Sequence, residues 1–159
     1  MRFELTQRYR SPAPAVADAY ADADLYPTLV GLPKLGGIEV LSHEHRADRA
    51  VLRIRFRFTG HLPSAVTAVI DPARLTWVQE TTHDLASGRT TFRLVPDHYP
   101  DRLKASGQFD VRPTANGSER RVTGELKVKA FLVAGQVEQA IVSGLEEYLV
   151  AEAPTVDAY

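Results

Sequence analysis

Histidines and carboxylates occur in two segments where their spacing could support chemistry. His43 and His45 lie two residues apart, so on a strand both side chains would project from one face. With His83 or Glu80 nearby in space they could form a metal site, because imidazole and carboxylate groups are common metal ligands. The pair itself supplies only two ligands and lies among charged residues, which is also typical of a solvated sheet edge. We therefore predict neither a metal nor a cofactor.

The second segment is the proline-bounded loop 95–101, which contains Asp97, His98 and Asp101. An aspartate and a histidine in contact could act as a general acid and base. Loops also collect these residue types because they are polar turn formers. We assign no catalytic residue to this loop.

Three arginines, Arg53, Arg55 and Arg57, alternate with apolar residues and form a basic stripe. Such a stripe could bind phosphate or nucleic acid, but the arginines can also pair across strands with acids such as Glu80 or Glu125. The chain has a formal net charge of −1, with acids and bases mixed along it. That charge balance argues against a nucleic-acid partner, which would require a basic patch.

Composition and missing motifs exclude several other classes of protein. There is no cysteine, which rules out disulfides, thiolate metal sites and cysteine nucleophiles. No G-x-S-x-G elbow is present, and GLPKLGG lacks the spacing of a phosphate or dinucleotide loop. No apolar run approaches the roughly 18 residues of a membrane span, and the charged N-terminus has no signal-peptide core. We expect a single cytoplasmic domain over residues 1–159, without stable membrane insertion.

Alternating apolar and polar residues predict strands along most of the chain. Residues 2–9 show this pattern, and the clearest example is 51–58, whose apolar face consists of Leu52, Ile54, Phe56 and Phe58. Further strands are predicted over 74–83, 89–95, 102–112 and 120–130. Because the other face of each strand is polar, the pattern predicts an antiparallel sheet with one packed face and one solvated face.

Two short helices are predicted between the first strand and the rest of the sheet. Ser11 is the predicted N-cap of the first helix, with Pro12 at its first position. Asp22 or Asp24 starts the second. With a long helix at the C-terminus, this order predicts an α+β fold. A curved antiparallel sheet of about six to seven strands would wrap its apolar face around the terminal helix.

The segment 132–153 has apolar residues at helical spacing and predicts that terminal helix. Gly144 lies in the middle of the apolar stripe, where glycine costs about 1 kcal/mol relative to alanine. One interpretation is close approach of a strand backbone or of a bulky neighbour such as Trp77 or Phe56. The other is an enlarged internal cavity. Tyr148, one turn later on the same stripe, would bring a hydroxyl that needs a hydrogen-bond partner when it is buried.

The role of Gln79 depends on which face of its strand is buried. If Trp77 faces the packed side, alternation sends Gln79 and Thr81 there as well. A polar group on an otherwise apolar inner face could orient a ligand. If Val78 faces inward instead, Gln79 faces water. The pattern leaves both arrangements open.

The order of elements resembles the helix-grip superfamily, also called START-like or SRPBCC, which includes the birch-pollen allergens and lipid-transfer domains. The segment GELKVKAFLVAGQVEQAIVSGLEEYLVAE is especially similar to an uncharacterised bacterial family in which a P-L-x-G-G-x-x-E turn joins the last strand to the helix. Here residues 131–138 fill that turn, with Ala134 replacing the first glycine and no proline before Leu132. The resemblance implies a cavity that binds lipids, sterols, polyketides or other apolar molecules, and some members are cyclases.

Together these features predict binding of a small hydrophobic molecule, lipid-, sterol- or polyketide-like, between the sheet and the terminal helix. The predicted ligand-binding residues are Phe56, Phe58, Trp77, Gln79, Phe92, Leu126, Ile141, Gly144, Leu145 and Tyr148. One alternative is a cyclase or dehydratase acting on an apolar substrate in the same cavity, with Tyr148 and a histidine as acid and base. The other is a non-catalytic protein-interaction domain with a filled core.

Overall fold

A computed structural model describes residues 1–68 and 70–159. Within these ranges seven strands form one antiparallel sheet. The strands are β1 (Arg2–Tyr9), β2 (Leu35–Arg46), β3 (Arg49–Phe58), β4 (Thr76–Asp84), β5 (Arg89–Pro96), β6 (Leu103–Thr114) and β7 (Gly117–Val128). They lie side by side in the order β1-β7-β6-β5-β4-β3-β2. Consecutive strands from β2 to β7 are therefore neighbours, and β1 pairs with β7 at the far edge.

The helices follow β1, β3 and β7. α1 (Ala13–Ala21) and a 3-10 helix (Ala23–Thr28) come directly after β1. The short helix α2 (Ser64–Thr67) and a 3-10 turn (Pro72–Arg74) lie between β3 and β4, and α3 (Ala134–Ala158) follows β7. In the part of the chain that the structure describes, no helix is both long enough and apolar enough to cross a membrane.

A pair of glycines lets two aromatic rings lie against the inner face of the sheet. Gly107 of β6 and Gly124 of β7 are directly paired. A Cβ atom on Gly107 would lie 2.2 Å from the carbonyl oxygen of Thr123 and 2.7 Å from the ring of Phe92, and one on Gly124 would lie 2.5 Å from the ring of Phe3. Only glycine fits at such points of close approach. The two rings thus take the space that side chains would fill.

α3 packs on the inner face of the sheet and divides the apolar interior into two clusters. The main cluster joins α1, the 3-10 helix and the inner faces of β1, β3, β6 and β7 to the C-terminal part of α3. The smaller cluster joins the N-terminal part of α3 to the segment around α2, and its buried members are Leu62, Val66, Ile70, Val128 and Val137. The predicted α+β fold, with a long terminal helix held by a curved antiparallel sheet, is confirmed.

The start of the first short helix differs from the prediction. Pro12, not Ser11, is the N-cap of α1, and no side chain caps its amides. The backbone N–H of Ser11 donates instead to Asp157 Oδ1 at 3.0 Å, which ties this turn to the end of α3. The second helix begins as predicted, because the Asp22 carboxylate accepts the backbone N–H of Asp24 at 3.0 Å.

The strand predicted over 74–83 begins at Thr76 instead. Asp71 accepts the N–H of Ala73 at 2.9 Å and caps the 3-10 turn that precedes the strand. Arg74 therefore belongs to this turn rather than to β4.

Candidate functional site

An apolar cavity of about 170 Å³ lies between the inner face of the sheet and α3. All ten residues predicted from the sequence as ligand contacts line it: Phe56, Phe58, Trp77, Gln79, Phe92, Leu126, Ile141, Gly144, Leu145 and Tyr148. The strands supply the first six and α3 supplies the last four.

Cross-strand pairing positions the aromatic wall of the cavity. Phe56 of β3 is directly opposite Trp77 of β4. Their rings are stacked, with centroids 6.1 Å apart and planes inclined by 20°. Aromatic pairs of this kind stabilise neighbouring strands. They also present a broad apolar surface to the space below α3.

Gln79 faces the cavity, which settles the alternative left open by the sequence. It lies opposite Ile54 of β3 and Leu94 of β5, and it lines the cavity together with Trp77. Val78 projects from the other face of β4 by strand alternation. It is nevertheless only 5% exposed, so burial of Val78 does not mark the inner face.

Gly144 is buried, and its neighbours are side chains rather than backbone. A Cβ atom built there would lie 3.5 Å from Phe58 Cε2 and 3.6 Å from Lys34 Cγ, which are ordinary van der Waals distances. The interpretation that a strand backbone, Trp77 or Phe56 requires glycine here is therefore wrong. A methyl group would fit at this position of the cavity wall, so no close contact requires the glycine.

Polar side chains meet at one part of this otherwise apolar lining. Arg120 of β7 and Glu152 of α3 both line the cavity and are 6% and 3% exposed. Arg120 Nη1 donates to Glu152 Oε1 at 3.2 Å and to Gln7 Oε1 at 2.7 Å. The guanidinium lies between two rings, with its Cζ 3.9 Å from the centroids of both Tyr20 and Phe109. The arginine is thus fixed on both faces and at one edge.

Glu152 is the common acceptor of this region. Its Oε1 accepts hydrogen bonds from the Tyr20 hydroxyl and from Gln7 Nε2, in addition to Arg120. The hydroxyls of Tyr9 and Tyr20 are 2.8 Å apart. We call Gln7, Tyr9, Tyr20, Arg120 and Glu152 the polar cluster. Its formal charges, one positive and one negative, balance each other.

Burial and charge shift the pKa values of the cluster in consistent directions. Burial raises the pKa of Tyr9 to about 12 and that of Tyr20 well above its usual value. Burial alone would lower the pKa of Arg120, but the oxygens of Tyr20 and Tyr9 and the charge of Glu152 outweigh it and raise that pKa. The tyrosines therefore remain neutral and the arginine remains charged at neutral pH.

Two buried polar atoms that belong to cavity-lining residues have no hydrogen-bond partner among the described residues. They are the hydroxyl oxygen of Tyr148 and the Nε of Arg120. Tyr148 is only 3% exposed. Burial, and then the charge and proximity of the Glu152 carboxylate, raise the pKa of Tyr148 far above its ordinary value, although the two side chains form no hydrogen bond of good geometry. The hydrogen-bond partner that a buried Tyr148 hydroxyl was expected to have is absent from the described chain.

The histidines do not form the pair that the cyclase alternative required. His83 is buried, but it is not among the lining residues, and its Nδ1 is 2.8 Å from Thr90 Oγ1. Burial, followed by the positive charges of Arg120 and His43, lowers the pKa of His83 to about 4. His98 lines the cavity but is exposed. Within the described residues, no hydrogen bond joins Tyr148 to a histidine.

His43 and His45 do not acquire the further ligands that a metal would need. Their rings stack with centroids 6.2 Å apart. Over residues 1–68 and 70–159, no group of three or more His, Asp or Glu side chains could hold a metal ion. The loop residue Asp97 accepts a hydrogen bond from Arg55 Nε at 3.2 Å, so its carboxylate is engaged with the arginine stripe.

The arginine stripe pairs with acids on neighbouring strands, as the sequence suggested. Arg53 Nε donates to Glu80 Oε1 at 3.0 Å, and Arg55 Nη1 donates to Glu39 Oε2 at 3.0 Å. The suggested pairing with Glu125 is wrong, because that residue lies on β7 whereas β3 is flanked by β2 and β4.

The polar cluster contains the residues that sequence reasoning missed. Arg120 has the same strand parity as Val122 and Leu126, and Gln7 has that of Leu5 and Tyr9. Glu152 lies four residues after Tyr148, on the same side of the helix. Strand alternation and helical spacing place all three on inner faces. A search for apolar residues at those positions passes over them because they are polar.

Several solved structures share the fold of this chain at low sequence identity. The protein TTHA0849 from Thermus thermophilus is 15% identical with a TM-score of 0.68, over 99% of this chain and 95% of that one. The Zhui aromatase/cyclase from Streptomyces sp. R1128 is 19% identical with a TM-score of 0.63, over 99% and 92%. A START superfamily protein from Mycobacterium smegmatis is 15% identical with a TM-score of 0.57, over 99% and 94%. These similarities confirm the START-like helix-grip fold.

At the level of sequence, a search of curated proteins finds no match to this chain. One family model does match, and it spans residues 4–159, from the first strand to the end of the terminal helix. The match therefore includes both the sheet and the helix that enclose the cavity. The chain belongs to the family described as "Protein of unknown function (DUF2505)".

Proposed function

We propose that this protein binds a small apolar molecule in the cavity between the sheet and α3. The observation that supports this most strongly is the cavity itself, about 170 Å³ in volume and lined mainly by aromatic and aliphatic side chains. A water molecule occupies about 30 Å³, so the space exceeds what a single water would fill. The volume also argues against the filled core that a pure protein-interaction domain would have.

The volume favours a compact ligand. An engineered apolar cavity of about 150 Å³ in another protein binds benzene, whereas typical ligand pockets measure about 300–1,000 Å³. A one- or two-ring molecule, such as a polyketide-like fragment, fits this range. A sterol or long-chain lipid would require lining side chains such as Phe58 or Ile141 to move. Affinity would come from burial of apolar surface, at about 25 cal/mol per Å².

The lining residues that are also exposed indicate where a ligand would enter. They include Arg74, His98, Arg102 and Lys129. The backbone N–H of Lys129 donates to the carbonyl of Arg102 at 2.7 Å, so β7 and the start of β6 meet on this side. Entry here would bring the ligand past the smaller apolar cluster before it reaches the polar cluster.

Replacement of Gly144 by leucine tests the binding proposal. The added side chain would occupy the space beside Phe58 and fill part of the cavity, so we expect loss of measurable binding of cumene (isopropylbenzene) by isothermal titration calorimetry. Circular dichroism should show the fold retained. Val150→Leu is the matched control, because Val150 lies on the same helix but is 66% exposed. Unchanged cumene affinity in Gly144→Leu would place any binding site elsewhere.

A cyclase or dehydratase activity in the same cavity is the second candidate. Two observations favour it: Tyr148 and Glu152 line the cavity as titratable groups, and the fold is shared with the Zhui aromatase/cyclase. Mass spectrometry of a ligand that co-purifies with the protein discriminates between the two functions. Release of the same compound after prolonged incubation supports binding, whereas its conversion to a new compound supports an enzyme.

A further inference from the structure

We infer that the ligand carries one uncharged oxygen atom, in a ketone, ester or hydroxyl group, which hydrogen-bonds to Tyr148 and Arg120. This inference rests on the proposed function and specifies the ligand of the same cavity. The remainder of the ligand is apolar, in keeping with the rest of the lining. Three observations lead to this chemistry.

The first observation is the hydroxyl of Tyr148. It is buried, belongs to a cavity-lining residue, and has no hydrogen-bond partner among the described residues. Buried hydroxyls are rarely left unpaired, because losing their hydrogen bonds to water is costly. A ligand oxygen in the cavity would replace that lost partner.

The second observation is the Nε of Arg120. Nη1 of this residue is engaged by Gln7 and Glu152, while rings lie against both faces of the guanidinium. The side chain therefore cannot rotate freely to find another acceptor, and its Nε–H remains without a partner in the described chain. Because an arginine N–H can only donate, the missing partner must be an acceptor.

The third observation is the charge balance. The positive charge of Arg120 is paired with Glu152, whose Oε1 accepts from three donors. A carboxylate or ammonium on the ligand would thus be buried without a free counter-ion, which is strongly unfavourable. A neutral oxygen satisfies the two unpaired donors without adding charge.

The test compares two probes of nearly equal shape, acetophenone and cumene, which differ in that a carbonyl oxygen replaces a methyl group. Dissociation constants of wild type and Tyr148→Phe are measured by isothermal titration calorimetry. Because the variant removes one donor, we expect the ratio of the acetophenone to the cumene dissociation constant to rise about fivefold. Affinity for cumene should not change. The Tyr148 hydroxyl lies near the Glu152 carboxylate but makes no hydrogen bond of good geometry within the described chain, so the fold should be retained.

Tyr99→Phe is the matched control. Tyr99 also lines the cavity, but its hydroxyl accepts the N–H of Asp71 at 3.4 Å in an exposed hydrogen bond, so its own proton can be donated to water and needs no ligand oxygen. The ratio of dissociation constants should be unchanged in this variant. An unchanged ratio in Tyr148→Phe, or an equal rise in both variants, would overturn the inference.

Benzoate provides a measurement on the wild-type protein alone. We expect it to bind at least about tenfold more weakly than acetophenone at neutral pH, because its charge would be buried without a counter-ion. Benzoate binding as tight as that of acetophenone would overturn the inference. If cumene binds but Tyr148→Phe leaves the ratio of the acetophenone to the cumene dissociation constant unchanged, only this inference fails. If neither cumene nor acetophenone binds, the proposed function fails with it.

Discussion

The two halves of α3 lie in different surroundings. Residues 145–158 contribute five of the seven buried residues of the helix, namely Tyr148, Leu149, Glu152, Ala153 and Val156. The hydrophobic ones among them pack in the main cluster with α1, β1 and β7. Residues 134–144 contribute only Val137 and Gly144. The C-terminal half therefore anchors the helix more firmly, although both halves contribute to the cavity wall, Ile141 and Gly144 from the first and Leu145 and Tyr148 from the second.

This contrast shows how one helix can combine tight packing with an internal space. In the C-terminal half, even a glutamate is buried, because Glu152 accepts hydrogen bonds from three side chains. The N-terminal half follows a turn in which Phe131 and Leu132 are 89% and 86% exposed. Some apolar side chains at the N-terminal end of α3 are thus exposed to solvent. Most of the buried contacts of the helix lie in its C-terminal half.

The largest expected effect comes from breaking the polar cluster. Glu152→Ala would leave the buried charge of Arg120 without its carboxylate, and removing one member of a buried ion pair typically costs about 3–5 kcal/mol. We expect a decrease of this size in the free energy of unfolding, measured by urea denaturation.

Glu147→Ala is the control for that experiment. Glu147 lies on the same helix and pairs with Lys34 Nζ at 3.2 Å, but its side chain is 52% exposed. Exposed ion pairs contribute about 0–1 kcal/mol, so the loss should be small. If Glu152→Ala costs no more than Glu147→Ala, the C-terminal half is not anchored by the polar cluster.

Truncation of one leucine and one isoleucine compares the packing of the two halves directly. Both residues line the cavity, but Leu149 is only 5% exposed and belongs to the main cluster, whereas Ile141 is only partly buried and packs against the smaller cluster. Leu149→Ala should lower the free energy of unfolding by about 2–5 kcal/mol. Ile141→Ala should cost clearly less, because truncation of a partly exposed side chain removes less buried apolar surface. Equal losses in thermal or chemical unfolding would show that both halves are packed alike.

Much of the fold and of the apolar cavity wall could be predicted because both depend on local periodicity. Alternation within β3 placed Phe56 and Phe58 on the inner face, and helical spacing placed Gly144 and Tyr148 on one stripe. Both patterns report only which face of an element is apolar. That information is enough to assign a cavity wall once the element order suggests the fold.

The polar cluster could not be predicted in the same way. The hydrogen bond between Arg120 and Glu152 joins residues 32 positions apart, and that between Gln7 and Glu152 spans 145 positions. The prediction of Ser11 as an N-cap is wrong for the same reason, since its hydroxyl donates to the carbonyl of Asp157 at the far end of the chain, at 3.5 Å. These contacts depend on how β1, β7 and α3 lie together, which no local pattern specifies.

The smallest expected effect concerns Gly144, at the boundary between the two halves of α3. Alanine should fit there, because its Cβ would lie 3.5 Å from Phe58 and 3.6 Å from Lys34. Higher helix propensity should then raise the free energy of unfolding by up to about 1 kcal/mol, which for a protein of this size raises Tm by about 2–4 °C. Gly107→Ala is the contrasting variant, because its Cβ would lie 2.2 Å from the carbonyl oxygen of Thr123 and should destabilise the sheet. A lower Tm for Gly144→Ala would mean that α3 approaches Phe58 and Lys34 too closely for a methyl group. The boundary between the two halves would then be a tight contact and not a gap.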